Sequence, residues 1–328
     1  MKRRLWQFAT IDAMRIAVVG VGAVGGYFGG RLAQAGLDVV FLTRGKTLAS
    51  LRAEGLRIQS IAGDFEIRNP NVAGDPAEIG RCDVVLVAVK AYQVQEIVPS
   101  LAPLVGADTV LIPMQNGLEA PALLSQALGP EVVLGGLCKI FASKTGPVSI
   151  GHIGLEPAIE FGEMSGEKTG RVERVRAAFS HAAGMATVVP DDIRVALWQK
   201  LMHVEPLGAV GSVVREPAGV LRTVPETRRM LLSAMEEIVA LASKRGVTLD
   251  SSLPERAILR IDQLPADATA SMHRDILAGR PSEFEFQTGT VVRYARESQV
   301  PVPVHSAIYA ALLPGTLRAR GCLPAPSH

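Results

Sequence analysis

The 328-residue chain is poor in the features that mark several classes of protein. It has three cysteines, Cys82, Cys138 and Cys322. Their number is odd and their spacing contains no CxxC, so neither a disulfide framework nor a metal site is expected. An excess of charge of one sign is also missing, since 34 Lys and Arg face 32 Asp and Glu for a formal net charge of +2. Without a basic stripe to neutralise a phosphate backbone, nucleic acid is not an expected partner. No apolar run approaches the roughly 18 to 20 residues that a spanning helix needs, so no membrane is expected either. Met1-Lys-Arg-Arg resembles the basic start of a signal peptide, but Asp12 and Arg15 interrupt the apolar residues behind it. The reading is a cytoplasmic protein in which residues 1–13 form an N-terminal extension.

What the chain does have is 48% hydrophobic residues and 32 glycines, in patterns that change along its length. At roughly 100 to 200 residues per domain, two domains are expected. Arg15 to Val19 is a short apolar run, glycines follow, then Tyr27 to Ala35 at helical spacing, Gly36 as a stop, and a second apolar run from Asp38 to Leu42. Leu56–Ile61 and Phe65–Arg68 flank Ala62-Gly63-Asp64 as a hairpin inserted after the second strand. The runs from Asp83 to Val89 and from Asp108 to Met114, with a helical stretch at 93–104 between them, imply a parallel sheet covered on both faces.

From about Asp191 the strand-like runs give way to long amphipathic segments. Residues 14–190 therefore read as one α/β domain and 191–320 as an all-helical one. Thr223-Val-Pro-Glu226 has capping-box spacing ahead of a helix reaching Arg245, and Ser282-Glu-Phe-Glu285 repeats it ahead of a helix to about Glu297. Met230 to Ala242 carries more apolar residues than one amphipathic face needs, which fits domain core or the interface of a homodimer.

Gly20-Val21-Gly22-Ala23-Val24-Gly25 is GxGxxG between an expected strand and helix. In that setting the first glycine makes the turn, the second admits a pyrophosphate and the third lets the helix pack on the strand. The helix start adds free N–H groups and a partial positive charge for the phosphates. At the end of the second strand an acid would bind a ribose 2′-hydroxyl and an arginine a 2′-phosphate. Here Phe41-Leu-Thr-Arg44-Gly-Lys46 has no acid and two cations, which favours NADP(H). Lys90 and Asn116 each follow a buried strand, at the carboxyl end where such sheets gather ligands.

Five segments in order, VGAVGGYFGGRLAQAG, VAVKAY, MQNG, ALWQK and SMHRDILAGRPSEFE, resemble the ketopantoate reductase (2-dehydropantoate 2-reductase) family from Arg15 to about Leu313. The resemblance implies a Rossmann-type NADP-binding domain, a helical C-terminal domain, and reduction of 2-dehydropantoate to (R)-pantoate in pantothenate biosynthesis. It implies Lys200 and Glu283 as the catalytic pair, with proton donation assigned to Lys200 and orientation or charge balance to Glu283 at a helix N-terminus. It further implies that Ser271 binds the substrate carboxylate, that Asn116 lies between nicotinamide and substrate, and that Lys90 and Ala142 contact the cofactor.

The sequence also departs from the family pattern. Asparagines expected four and eight residues after the lysine are Val204 and Gly208, and a later polar substrate position is Ala218. His203 or Glu205 then stand as candidate substitutes. Two alternatives stay open: a reductase of another 2-oxo acid on the same fold, and a nonenzymatic NADP(H)-binding sensor. His152, His181 and His305 lack metal spacing and receive no role.

Overall fold

The architecture comes from a computed structural model that describes residues 14–324, so the expected extension at 1–13 lies outside the described residues. The chain divides into two compact units. One holds the described residues up to Val89, Gln93–Gln115 and Pro121–Ile193, and the other holds Lys90–Tyr92, Asn116–Ala120 and the residues from Arg194 onward.

The first unit runs β1 (Arg15–Val19), α1 (Ala23–Gln34), β2 (Asp38–Leu42), α2 (Gly45–Glu54), β3 (Leu56–Ser60), β4 (Phe65–Ile67), β5 (Asn71–Ala73) and α3 (Pro76–Ile79). It continues with β6 (Val84–Val87), α4 (Val94–Leu101), β7 (Val110–Pro113), α5 (Ala120–Leu128), β8 (Gly135–Lys144), β9 (Ser149–Gly162), α6 (Gly170–Phe179) and β10 (Ala186–Val188). Strands β5-β2-β1-β6-β7 form a parallel sheet in that order. The chain works outward from β1 to β5, then returns to the other side of β1 for β6 and β7. That reversal leaves a switch point between β1 and β6, where sheets of this kind bind ligands.

Residues Ile16–Val19 and Val84–Val87 are buried at every position, which explains why they read as continuous apolar runs and not as alternation. One face of the sheet contributes Val18, Phe41 and Leu86 to a core shared with Phe28 of α1, and the other contributes Val19, Val40 and Val85 to a core with Leu101 and Leu124. The hairpin of 56–68 is β3 and β4, paired antiparallel. It is not a free-standing insertion, because β3 pairs with β9 in a second sheet of order β10-β9-β3-β4, with β8 antiparallel to β9. Ile58, Ile150 and Phe161 of this sheet enter the same core as Phe28, so the second sheet covers the α1 side of the first.

The second unit is helical: α7 (Ile193–Val214), α8 (Ala218–Thr223), α9 (Pro225–Lys244), α10 (Leu253–Asp262), α11 (Ser271–Leu277), α12 (Thr288–Ser298) and α13 (Pro303–Ala319). Its core gathers Met202, Leu231, Met235, Ile238, Leu241 and Phe284. The apolar stripe of α9 is thus spent inside the unit, and it supplies no argument for a homodimer.

Both expected capping boxes fail for local reasons. Thr223 closes α8, and its hydroxyl donates back to the carbonyls of Gly219 and Val220, leaving Val224 at the head of α9. At 282–285 the chain instead makes a 3-10 turn over Phe284–Phe286, and α12 begins only at Thr288. Among the described residues, no helix is long and apolar enough to cross a membrane.

Candidate active site

In the first unit the glycine turn has the form a dinucleotide requires. Gly20 sits at φ +96°, a conformation L side chains rarely adopt, and a Cβ there would lie 2.8 Å from Val89. A Cβ on Gly25 would collide with the carbonyl of Gly20, so only glycine lets α1 close on the turn. Gly22 is different, because a Cβ there would meet nothing within 4 Å. It caps α1 with no side-chain hydrogen bond, which leaves the first N–H groups of α1 facing open space at the carboxyl end of β1. Val21, Ala23 and Val24 complete this turn. The residues therefore fit a pyrophosphate.

Arg44 follows β2 directly, heads α2, and is exposed. Its Nη2 donates to Ser100 Oγ at 2.7 Å, which holds the guanidinium at the strand end while leaving other N–H groups free for an anion. Ala142 lies half-buried in β8 opposite His152 of β9. His152 itself is structural, with its ring nitrogens 2.8 Å from Ser60 Oγ and 2.8 Å from the Leu155 carbonyl.

The other expected residues fall in the second unit. Asn116, Gly117, Leu197, Lys200, Leu201, Val204 and Gln287 line one cleft of about 190 Å³. Leu197, Lys200, Leu201 and Val204 occur at helical spacing, so α7 presents them together as one wall. That wall is apolar apart from Lys200.

Glu283 is 5% exposed and accepts from two sides, the backbone N–H of Ala91 at 3.0 Å and the side-chain amide of Asn116 at 3.2 Å. The helix N-terminus expected to hold its carboxylate is absent, because the chain after it is the 3-10 turn. The Ala91 N–H and the Asn116 amide take that place. Lys90 donates to Asp275 Oδ2 at 3.0 Å. Burial opposes its charge, but the carboxylates of Glu283 and Asp275 outweigh burial and hold the ammonium above the ordinary lysine range. Asp275 also accepts from Arg280 at 2.9 Å and was not legible as part of the site.

Ser271 opens α11 and does not line the cleft among the described residues. Its neighbours Ala270 and Met272 pack on α7 at Gly208, where a Cβ would lie 2.9 Å from Met272 Cε and 3.3 Å from Ala270 Cβ. Gly208 is therefore a close-packing position, where a longer side chain would have to push aside the end of Met272 and press on Ala270. Ala218 is fully buried, with its N–H bonded to the Ala268 carbonyl, and no substrate can reach it.

Neither candidate substitute serves the cleft. His203 donates from Nδ1 to the Gln199 carbonyl and accepts at Nε2 from Arg260, and Glu205 is fully buried. Glu205 Oε2 lies 2.9 Å from His305 Nε2, while Thr288 donates to its Oε1 at 2.5 Å. His305 in turn reaches Glu237 Oε2 at 2.5 Å through Nδ1. The histidine left without a role is thus the centre of a buried Glu205–His305–Glu237 triad. The two carboxylates overcome its burial and push its pKa up to about 9.

A Rossmann-type sheet with a nucleotide turn, joined to a helical unit that carries a lysine in a cleft, is the frame of an oxidoreductase. Two family models match, Ketopantoate reductase PanE/ApbA over residues 16–166 and Ketopantoate reductase PanE/ApbA C terminal over 192–314. A 2-dehydropantoate 2-reductase of Halobacterium salinarum is 32% identical over 89% of this chain and 95% of its own length. An uncharacterized oxidoreductase, YkpB of Bacillus subtilis, is 30% identical over 91% of this chain and 98% of its own. The crystal structure of 2-dehydropantoate 2-reductase from Geobacter metallireducens superposes with a TM-score of 0.87, at 28% identity, over 92% of this chain and all of that one. The chain belongs to the ketopantoate reductase family. It is an oxidoreductase, and the nonenzymatic alternative lapses.

Proposed function

We propose that the protein is a cytoplasmic enzyme that uses NADPH to reduce a 2-oxo acid, with 2-dehydropantoate to (R)-pantoate as its reaction. The observation that carries this reading is the cleft that holds Lys200 beside Asn116, with Asn116 tied to Glu283. Arg44 at the end of β2 supports NADPH over NADH, since it offers a cation where an acid would refuse the 2′-phosphate.

Gly20, Gly22 and Gly25 with the start of α1 would hold the pyrophosphate, Arg44 the 2′-phosphate, and Ala142 a further part of the cofactor. When bound, the nicotinamide supplies a hydride to the ketone carbon. Lys200 donates a hydrogen bond to the ketone oxygen and gives it a proton as negative charge develops there. Solvent then restores the lysine proton. Glu283 fixes the Asn116 amide by accepting from Nδ2, and so orients the group expected between nicotinamide and substrate. Its charge is balanced by Lys90, which in this arrangement spans Asp275 and the cofactor side of the site. Ser271 is the proposed contact for the substrate carboxylate.

A second reading is favoured by Val204, Leu197 and Leu201, which give the cleft an apolar wall. Such a wall suits a less hydroxylated 2-oxo acid. The test is oxidation of NADPH with 2-dehydropantoate beside a panel of other 2-oxo acids, repeated with NADH. A kcat/KM of about 10⁴ M⁻¹s⁻¹ or more with 2-dehydropantoate supports the first reading. Turnover confined to another acid transfers the assignment to that acid, and silence across the panel refutes both. With Arg44→Ala, the KM for NADPH should rise about tenfold while that for NADH stays put, as loss of one charged contact implies.

A further inference from the structure

Gln287 is 1% exposed, yet its Nε2 has no hydrogen-bond partner among the described residues. Buried amides are ordinarily satisfied, so an orphaned one needs an explanation. Two structural explanations are closed. Gln287 occupies the cap position of α12 without capping it, because its side chain makes no bond to the helix. It is also not adrift, because the next residue, Thr288, is fully buried and donates to Glu205 of α7. The 3-10 turn before it adds the Gln287 N–H bond to the Phe284 carbonyl at 3.3 Å. The backbone is therefore fixed from both sides, and Gln287 is one of the residues that line the cleft together with Lys200, Asn116 and Val204.

Resting on the 2-oxo-acid reading, we propose that Gln287 is a specificity-determining residue that donates from Nε2 to a hydroxyl oxygen on the substrate chain. It supplies from the segment before α12 the amide that α7 lacks at Val204. A donor buried without a partner discriminates by the mechanism of unpaired polar groups. The hydroxylated acid satisfies it, and the deoxy acid leaves it unpaired. Lys200 keeps the ketone oxygen, so the two donors address different substrate atoms.

The test compares 2-dehydropantoate with its deoxy analogue, 3,3-dimethyl-2-oxobutanoate, in the wild type and in Gln287→Met, a volume-conserving change. The wild type should prefer the hydroxy acid by about 10- to 100-fold in kcat/KM, the range one good hydrogen bond commands. Gln287→Met should bring that ratio close to unity by losing activity on the hydroxy acid alone. NADPH affinity should not change, and the melting temperature should hold or rise, since the variant removes an unpaired buried donor. A merely structural role predicts the opposite, a lower melting temperature with both acids impaired alike, and that result overturns the proposal. So does a wild-type ratio near unity, or a ratio that Gln287→Met leaves intact. No turnover of either acid by the wild type overturns the assignment of Gln287 alone if another 2-oxo acid of the panel is reduced, and the 2-oxo-acid reading with it if the whole panel is silent.

Discussion

Glu205 and His305 meet 2.9 Å apart with both side chains wholly out of solvent. Glu237, on the other ring nitrogen, makes the imidazole a cation between two anions. Its pKa of about 9 stands above the ordinary 6.5, so the folded state binds a proton that the unfolded chain releases earlier. The resulting stability is fully present below pH 6.5 and is lost as pH rises through 9. It amounts to about 3 kcal/mol at most, at 1.36 kcal/mol per unit. Thermal melts should show a falling melting temperature over that window, and His305→Gln should flatten the slope while lowering stability at neutral pH. A slope unchanged in His305→Gln would contradict this.

Lys200 is the proposed proton donor, and its removal should separate chemistry from binding. Lys200→Ala should lower kcat by about 10²- to 10⁴-fold, the usual worth of general acid catalysis. NADPH binding, measured by fluorescence titration, should be unaltered. A modest change in kcat with a large rise in KM would make the lysine a binding group and move the proton donor elsewhere.

The glycines of the nucleotide turn should fail in different ways. Gly22→Val adds a side chain where nothing lies within 4 Å, so the protein should fold normally while NADPH binding is blocked. Gly25→Ala drives a methyl group into the carbonyl of Gly20, so it should lower the melting temperature as well. Overpacking of this kind costs about 1 to 3 kcal/mol. Equal melting temperatures in the two variants would argue against the turn geometry described above.

Restoring the asparagines of the family pattern should work at one position only. Val204→Asn places its amide in the cleft beside Lys200 and should raise activity on hydroxylated acids. Gly208→Asn must displace Met272 and Ala270, and with them the start of α11 that carries Ser271. The expected signs are therefore a gain in kcat/KM for the first and a loss of both stability and activity for the second. Improved turnover from Gly208→Asn would show that α11 yields more easily than its packing implies.

The parallel sheet, the glycine turn and the helical character after 191 were legible because each rests on local signals: buried apolar runs, glycine spacing and amphipathic periodicity. The second sheet was not, because β9 pairs with β3 across a long stretch of sequence and its exposed middle breaks any simple alternation. The capping boxes misled for a related reason. Thr223 and Ser282 have the right neighbours in sequence, but Thr223 was already committed to the end of α8, and Glu283 was drawn to Ala91 and Asn116. At the cleft, Lys200 and Asn116 could be found by motif. The pairing of Asp275 with Lys90 and the role of His305 depend on partners far along the chain, and Gln287 meets the other cleft residues only in the fold, none of which a local pattern encodes.

The carboxylate of Glu283 is held by an N–H that lies 192 residues earlier in the chain. A closure of that span costs more chain entropy than the local contacts of the helices. A fragment beginning at Arg194 would carry Lys200 and Glu283 but neither Ala91 nor Asn116, so the helical half by itself lacks both partners of the Glu283 carboxylate. During synthesis, the contacts of Glu283 with Ala91 and Asn116 can form only once most of the chain has been made.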